Sequence, residues 1–326
     1  REQDPKRWVV QLEGGGLCFT PFDCVARAKM LLGSSKEWDP ENTPENNHHL
    51  TSDSPLNPLA NWSHVYVPYC SGDTWLGTTK HWHVSLFGLQ MSGFLILQAV
   101  VEHLAATTAL ATASDAVLSG NSAGGIGVNQ HTDWFAERMR ELAAAAGVGS
   151  PRVVGVPVEG FFFPKNFPVL YPQFAVGNRK VLDNFAAKYV TGLFAPTRLH
   201  EGCVQAAKEE QFDSARCFGA SVVLQYSRTP MFVISNLFDQ LMIHDLGVCL
   251  SCSSNSPAAS VPGQYIRYFG EQAAQTVEDL RKAKPDFGFF VTSEYHHDEN
   301  FNAIFTSREK VIGGESLASA FWLWYE

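Results

Sequence analysis

The chain of 326 residues is long enough for one large α/β domain, and we expect a single domain over residues 1–326. Apolar residues make up 45% and charged residues 17%, which excludes intrinsic disorder as the dominant state. The net charge of −9 disfavours nucleic-acid binding, because that binding depends on neutralising phosphate charge with Lys and Arg. No apolar run approaches the roughly 18 residues of a membrane span, so none is predicted.

Short apolar strands alternate with helical segments along the chain. The predicted strands are residues 8–12, 64–69, 115–118, 152–156, 231–234 and 287–291. The predicted helices are residues 88–104, 125–145, 264–284 and 315–324, and a surface loop is predicted over 37–61. This alternation predicts an α/β fold with a mostly parallel sheet flanked by helices. Between residues 159 and 220 the periodicity weakens, which predicts a lid-like insertion.

The motif Gly120-Asn121-Ser122-Ala123-Gly124 matches G-x-S-x-G. An apolar strand precedes it and a helix follows it, which is the context of a nucleophile elbow rather than of an ordinary Gly/Ser loop. The Ser122 hydroxyl would then be exposed on a tight turn. The backbone N–H of Ala123 would point toward a developing oxyanion.

The triple glycine Gly14-Gly15-Gly16 follows the first predicted strand. Glycines allow the backbone to direct N–H groups inward without side chains in the way. In α/β hydrolases such a loop completes the oxyanion hole. A phosphate-binding loop is the alternative, but no Gly-Lys-Ser/Thr sequence follows and the G-x-G-x-x-G spacing is absent.

A serine nucleophile needs a base, and the base needs an acid that orients it. In this fold the chain order is Ser, then Asp or Glu, then His, and Asp239 follows a late strand. A helix cap explains Asp239 equally well. His244 is too close to Asp239 in sequence, whereas His296 and His297 follow the last predicted strand. Local reasoning leaves the choice between these two histidines open.

Seven cysteines are present, and disulfides are favoured over a zinc site because the single C-x-x-C, Cys249 to Cys252, has no second copy. Asn61-Trp62-Ser63 is a glycosylation sequon, which is compatible with secretion. The odd number of cysteines favours a chain that begins inside the mature protein. The aromatic run over residues 160–164 is typical of a core, with substrate contact as the alternative.

Several segments together resemble the pectin acetylesterase and Notum family of α/β-hydrolase-like carboxylesterases. In the order of that family, they are residues 12–18, Cys24, residues 67–75, residues 119–125, residues 237–240 and residues 293–297. They extend over nearly the whole chain, from about residue 8 to about residue 325. As a set they are specific, although each motif alone is weak.

The resemblance implies a serine carboxylesterase without metal or cofactor. It implies these roles: nucleophile Ser122, acid Asp239, base His297, and an oxyanion hole from Gly15, Gly16 and Ala123. His297 is favoured over His296 because the family's histidine lies four residues after the serine that corresponds to Ser293. Trp75, Phe161 and Phe162 are candidate residues of the substrate pocket.

The same resemblance implies a Cys18–Cys24 disulfide and secretion. It also implies that Cys70 pairs with a cysteine upstream of the first strand, which this sequence does not contain; an unpaired Cys70 is the alternative. We expect a monomer. Two departures stand out: Leu17 replaces an aromatic residue of the family, and the family's Asp before the Gly-aromatic pair is missing, unless Glu159 substitutes from the neighbouring position.

The sequence indicates the reaction, ester hydrolysis, more clearly than it indicates which ester is the substrate. The triple glycine is similar to plant polysaccharide deacetylases, whereas the segment 69–75 is closer to Notum. A net charge of −9 without a basic patch disfavours steering of polyanionic pectin, but not of a neutral acetylated glycan. The sequence thus favours a polysaccharide (pectin-like) O-acetylesterase that acts on short acyl chains. The alternatives are a Notum-like enzyme that removes a fatty acyl group from a secreted protein, and a catalytically silent glycan-binding protein.

Overall fold

Within the described residues, six parallel strands form the central sheet, as the alternating pattern predicts. The computed structural model describes residues 3–18, 21–38, 57–79, 88–161, 197–245, 249, 251–297 and 311–326. The strands are β1 (Asp4–Leu12), β2 (Trp62–Val67), β3 (Asp115–Asn121), β4 (Arg152–Val158), β5 (Phe232–Asp239) and β6 (Gly288–His296). Their order is β2-β1-β3-β4-β5-β6, and every neighbouring pair is parallel. The carboxyl ends of all six strands therefore meet at one edge.

Helices cover both faces of this sheet. They are α1 (Pro21–Arg27), α2 (Gly93–Thr107), α3 (Ala123–Ala145), α4 (Glu201–Glu209), α5 (Ala220–Tyr226), α6 (Val261–Ala283) and α7 (Leu317–Tyr325). A short antiparallel pair, β7 (Val311–Ile312) and β8 (Glu315–Ser316), precedes α7. Helix α6 shows why such segments are helical: Ser260 caps it by accepting from the N–H of Gly263, and Arg281 and Lys282 occupy its last turn.

The core lies in two layers, because successive strand residues point to opposite faces. On one face Val10 and Leu118 pack with Phe135 of α3 and with apolar residues of α2. On the other face Val9 packs with Phe321 of α7. Both faces of β3 are buried, which matches a parallel sheet covered by helices on each side.

Strands β5 and β6 each extend five residues beyond the predicted ends at residues 234 and 291. The sequence pattern does not predict these extensions, because polar residues such as Asn236 and Thr292 interrupt the apolar runs. In the sheet these two residues lie opposite each other, and the Thr292 hydroxyl donates a hydrogen bond to Asn236 Oδ1. Paired with each other, the polar side chains are compatible with burial.

The predicted lid-like insertion over residues 159–220 is only partly within the described residues. Its last part contains α4, and Cys203 and Cys217 there form a fully buried disulfide that packs in the same cluster as Val233 of β5. The buried residues of this part, such as Leu199, Cys203 and Phe218, therefore belong to the core, while others such as Glu201 are exposed. Residues 162–196, as well as residues 39–56 of the predicted surface loop, lie outside the described part of the chain.

Three disulfides are present, and the predicted Cys18–Cys24 pair is among them. The other two pairs are Cys203–Cys217 and Cys249–Cys252. Cys70 takes part in no disulfide with a described residue, and its pairing with an upstream cysteine stays a prediction. Within the described residues, no helix has the length and apolar character needed to cross a membrane.

Gly124 allows α3 to lie directly against β1. A Cβ at this position would lie 2.2 Å from the carbonyl oxygen of Leu12. We expect Gly124→Ala to lower the free energy of unfolding by about 2–3 kcal/mol, because the added methyl group forces two backbones apart. Gly149→Ala is the control, since a Cβ there meets no atom within 4 Å. Equal urea midpoints for the two variants would contradict this account of the packing.

Candidate active site

Ser122 lies on a strained turn between β3 and α3. Its φ of 51° is in the left-handed region, which is unusual for a residue other than glycine. The Ser122 N–H donates to the carbonyl of Val158, 2.9 Å away, which ties the turn to β4. A Cβ at Gly120 would lie 2.6 Å from the Gly124 carbonyl oxygen, so only small residues fit around the turn. This is the geometry of a nucleophile elbow.

Asp239 and His297 lie next to Ser122 at the carboxyl edge of the sheet. The Nε2 atom of His297 is 2.9 Å from Ser122 Oγ, and its Nδ1 atom is 2.8 Å from Asp239 Oδ2. The backbone N–H of Met242 donates to the other carboxylate oxygen of Asp239 over 3.0 Å. Asp239 is buried, while the His297 side chain keeps 13% of its surface exposed. A proton on Nδ1 leaves Nε2 free to accept the serine proton.

A bulge in the β5–β6 pair decides which histidine contacts Asp239. Asn236 pairs with Thr292, but the register then shifts by one residue, so that Asp239 pairs with His296. His297 comes directly after β6 and contacts Asp239 and Ser122. The carbonyl of His296 instead accepts a hydrogen bond from Asn236. Bulges redirect side chains in this way, and no local sequence pattern predicts this one.

The loop after β1 holds the triple glycine beside the turn. The N–H of Gly14 donates to Asn121 Oδ1 over 3.1 Å, and the guanidinium of Arg27 donates to the carbonyl of Gly15. Gly15 and Gly16 have φ values of 134° and 69°, which favour glycine. No described residue accepts a hydrogen bond from the N–H groups of Gly15, Gly16 or Ala123. Within the described part of the chain, these three N–H groups thus have no acceptor.

Trp75 contacts the loop that holds the triple glycine. Its side chain has no exposed surface, and its indole N–H donates to the carbonyl of Glu13 over 3.0 Å. The backbone N–H of Tyr69 donates to the Glu13 carboxylate over 2.6 Å, while burial raises the pKa of Glu13. Trp75 thus braces the glycine loop in this structure, and its predicted role as a pocket residue stays a prediction.

Asp73 organises the segment that carries Trp75. Its buried carboxylate accepts from the Ser71 hydroxyl over 2.6 Å and from the backbone N–H groups of Trp75, Gly77 and Gly93 over 3.0, 3.1 and 2.7 Å. Burial raises the pKa of Asp73, and the hydrogen bonds from these donors oppose that rise. The segment 69–75 is therefore a structural support of the site.

The other two predicted pocket residues are Phe161 and Phe162. Phe161 follows β4 and is 7% exposed, within the cluster that also contains Ile126 and Phe218. Phe162 lies outside the described residues. The residues that sequence reasoning missed are the polar supports Arg27, Asn121 and Asn236. Each of them contacts residues that are distant in sequence or lie in an adjacent loop. Such contacts leave no pattern in the local sequence.

The arrangement agrees with the comparisons to known proteins. The family model described as Pectinacetylesterase matches residues 2–326. This chain belongs to the pectinacetylesterase family. Among similar proteins, NOTUM of Mus musculus, a palmitoleoyl-protein carboxylesterase, is 28% identical over 325 residues, which cover 98% of this chain and 59% of the mouse protein. Pectin acetylesterase 5 of Arabidopsis thaliana is 30% identical over 233 residues, or 71% of this chain and 49% of the plant protein.

A solved structure shares the fold of this pectinacetylesterase family member. The Wnt deacylase Notum from Drosophila matches with a TM-score of 0.76 at 24% identity, over 99% of this chain and 85% of that chain. This confirms the α/β-hydrolase-like fold. The present chain spans about half to three-fifths of the length of the mouse and Arabidopsis relatives.

The hydrogen bond from Ser122 to His297 predicts a reactive serine. We expect a fluorophosphonate to label the protein once, on Ser122, because His297 accepts the proton as the hydroxyl attacks phosphorus. Intact-mass and peptide mass spectrometry would show the adduct. Ser122→Ala and His297→Ala should abolish labelling, whereas Ser114→Ala, at the exposed start of β3, should retain it. Equal labelling of Ser122→Ala would contradict this assignment.

Proposed function

We propose that this protein is a serine carboxylesterase that hydrolyses O-acyl esters through Ser122, His297 and Asp239. One observation carries the proposal: the continuous hydrogen-bonded line from Ser122 Oγ to His297 Nε2 and from His297 Nδ1 to Asp239, over 2.9 and 2.8 Å. Nucleophile, base and orienting acid are the minimum set for acyl transfer. The names of the relatives, carboxylesterase and pectin acetylesterase, support the same chemistry.

Hydrolysis would proceed in two steps. In the first, His297 Nε2 takes the proton of Ser122 as Oγ attacks the ester carbonyl carbon, and Asp239 stabilises the imidazolium. The N–H groups of Gly15, Gly16 and Ala123 would hold the oxyanion. When the tetrahedral intermediate collapses, the ester C–O bond breaks and His297 returns the proton to the leaving alcohol, which leaves an acyl-serine.

In the second step, water replaces the alcohol. His297 takes a proton from water as the hydroxide attacks the acyl carbon, and the same N–H groups hold the second oxyanion. Collapse breaks the bond to Ser122 Oγ, the serine regains its proton from His297, and a carboxylic acid leaves. The residues themselves supply each proton transfer, so we expect no metal or cofactor requirement.

We infer that the first substrate to test is an O-acetylated polysaccharide, such as pectin or a less charged glycan. The Arabidopsis relative is named a pectin acetylesterase, and the triple glycine is similar to plant members of the family. The second candidate is a fatty-acylated protein. Relatives named palmitoleoyl-protein carboxylesterases favour it, because they align with 72–98% of this chain, most of them with 84% or more, against 71% for the Arabidopsis protein.

We also propose that the protein is secreted and acts as a monomer. Three disulfides support an oxidising compartment, since they are rare in cytosolic proteins. Asn61, the acceptor residue of the glycosylation sequon, is exposed. Glycosidase-dependent mass loss of the expressed protein would test the modification, and light scattering would test the oligomeric state.

Loss of the nucleophile tests the chemistry. We expect Ser122→Ala to lower kcat/KM for 4-nitrophenyl acetate by about 10⁴-fold or more, because no other group forms the acyl intermediate. Ser114→Ala is the control and should match the wild type. Near-wild-type turnover by a folded Ser122→Ala protein would sink the proposal, and glycan binding without any turnover would point to a silent binding protein.

A series of 4-nitrophenyl esters from acetate to palmitate tests the acyl group. A rate confined to acetate and butyrate would mean a shallow pocket and support glycan deacetylation. Appreciable kcat/KM for octanoate or longer esters would mean a deep acyl pocket and support removal of a fatty acyl group. The assay uses monomeric substrate concentrations, so that micelles do not mask the preference.

A further inference from the structure

A second carboxylate lies beside the predicted triad. Glu159 follows β4 and has no exposed surface. One of its carboxylate oxygens, one of Asp239 and an imidazole nitrogen of His297 all lie within 4.8 Å of one another. The histidine therefore has two acidic neighbours from two different strands. A triad alone requires only Asp239.

A polar network holds Glu159 in this place. Asn236 of β5 donates to Glu159 Oε1 over 2.8 Å and to the carbonyl of His296 over 3.2 Å. The hydroxyl of Thr292 donates to Asn236 Oδ1, which fixes the orientation of the amide. The N–H of Glu159 donates to the carbonyl of Ile234 over 2.8 Å. Contacts with β5 and, through Asn236, with β6 therefore fix both the backbone and the carboxylate of Glu159.

The backbone of Glu159 is strained. Its φ of 48° lies in the left-handed region, where a residue with a long side chain is uncommon. Such strain persists only where surrounding contacts hold it, and it is concentrated at functional sites. Position 159 thus combines backbone strain, full burial and a titratable group next to His297, and the mechanism above uses none of these.

We propose that Glu159 is a positioning residue that acts through His297, adding a second negative charge that stabilises the protonated imidazole formed during acyl transfer. The proposal rests on the proposed esterase function. Asp239 remains the direct partner of His297, at 2.8 Å from Nδ1. Glu159 contributes through the field of its charge, which is strong in a buried site of low dielectric.

The sign of the effect on pH dependence follows from the charge. An ionised Glu159 favours the charged form of His297 and so raises its pKa. The esterase needs neutral His297 as base, so activity rises with pH through that pKa. Removal of the Glu159 charge should therefore move the acidic limb of the profile to lower pH. It should also reduce kcat, because the imidazolium loses part of its stabilisation.

The other groups around His297 are constant between the variants. Asp239 faces it from β5 and Ser122 from the β3–α3 turn. Glu294 and His296 lie at the end of β6, directly before it, and Asp298 and Glu299 follow it in sequence, outside the described residues. Because a substitution at 159 changes the identity of none of these residues, the difference from the wild type isolates the contribution of Glu159.

Glu159→Gln separates a charge effect from a structural one. Glutamine has the same shape and keeps an oxygen that can accept from Asn236, so a purely structural role predicts an unchanged titration of His297. Our proposal predicts that the pKa of His297 falls by about 1 unit or more, the usual effect of a charge at 4–6 Å. Glu137→Gln on α3 removes the same charge far from the site and is the matched control.

The measurement is an NMR titration of ¹³C,¹⁵N-histidine-labelled protein, with His297→Ala to assign the signal. This readout needs no turnover, so an inactive wild type would refute the esterase function and still test Glu159. In parallel, kcat/KM for 4-nitrophenyl acetate should show the same shift of the acidic limb and a fall in kcat of about 10-fold. Should the Gln variant not fold, Glu159→Met gives the same two readouts.

Two outcomes would overturn the proposal. An equal pKa of His297 in the wild type and in Glu159→Gln would mean that Glu159 is uncharged or electrically remote. A shift of the same size in Glu137→Gln would mean a general charge effect. The proposal would gain support if Glu159→Asp, which keeps the charge, showed a near-wild-type titration of His297. It would also gain support if the effects of Glu159→Gln and Asp239→Asn on the pKa of His297 were coupled in a double-mutant cycle.

Discussion

The close approach of three backbone segments around Ser122 is the constraint on which the site depends. The Leu12 carbonyl of β1 lies where a side chain at Gly124 would be, and the Val158 carbonyl of β4 accepts the Ser122 N–H. Because α3 can begin directly above these two strands, the serine, the glycine loop and the end of β4 share one edge of the sheet. Larger residues at the turn would separate the elements that have to act together.

Buried polar side chains then fix what the backbone brings together. Asp73 bonds to three backbone N–H groups, Asn121 to the glycine loop, and Asn236 to both Glu159 and the last strand. Each of these groups would be unfavourable in the core if it were unpaired. Paired, they hold the loops with little freedom, so the N–H groups and the histidine keep their positions before any substrate binds.

His297 lies close to two carboxylates, so its charge interacts with both. Asp239 contacts it directly, while Glu159 reaches it from the neighbouring strand through a strained backbone. In the proposed esterase, such an arrangement would favour the imidazolium that acyl transfer creates. It would also raise the proton affinity of the resting base, so that the gain in the reaction would be balanced by a more alkaline working range.

The sequence by itself determined the α/β class, the elbow around Ser122 and the glycine loop, because these depend on local periodicity and small residues. It gave the polar ends of β5 and β6 no strand signal, and it left His296 and His297 equivalent until the family resemblance favoured the second. Only the tertiary structure brought Ser122, Asp239 and His297 together. A bulge of one residue in β6, opposite β5, contributes to this arrangement. The tertiary structure also placed Trp75 against the glycine loop and Glu159 beside His297. These outcomes depend on contacts between distant strands, which no local pattern encodes.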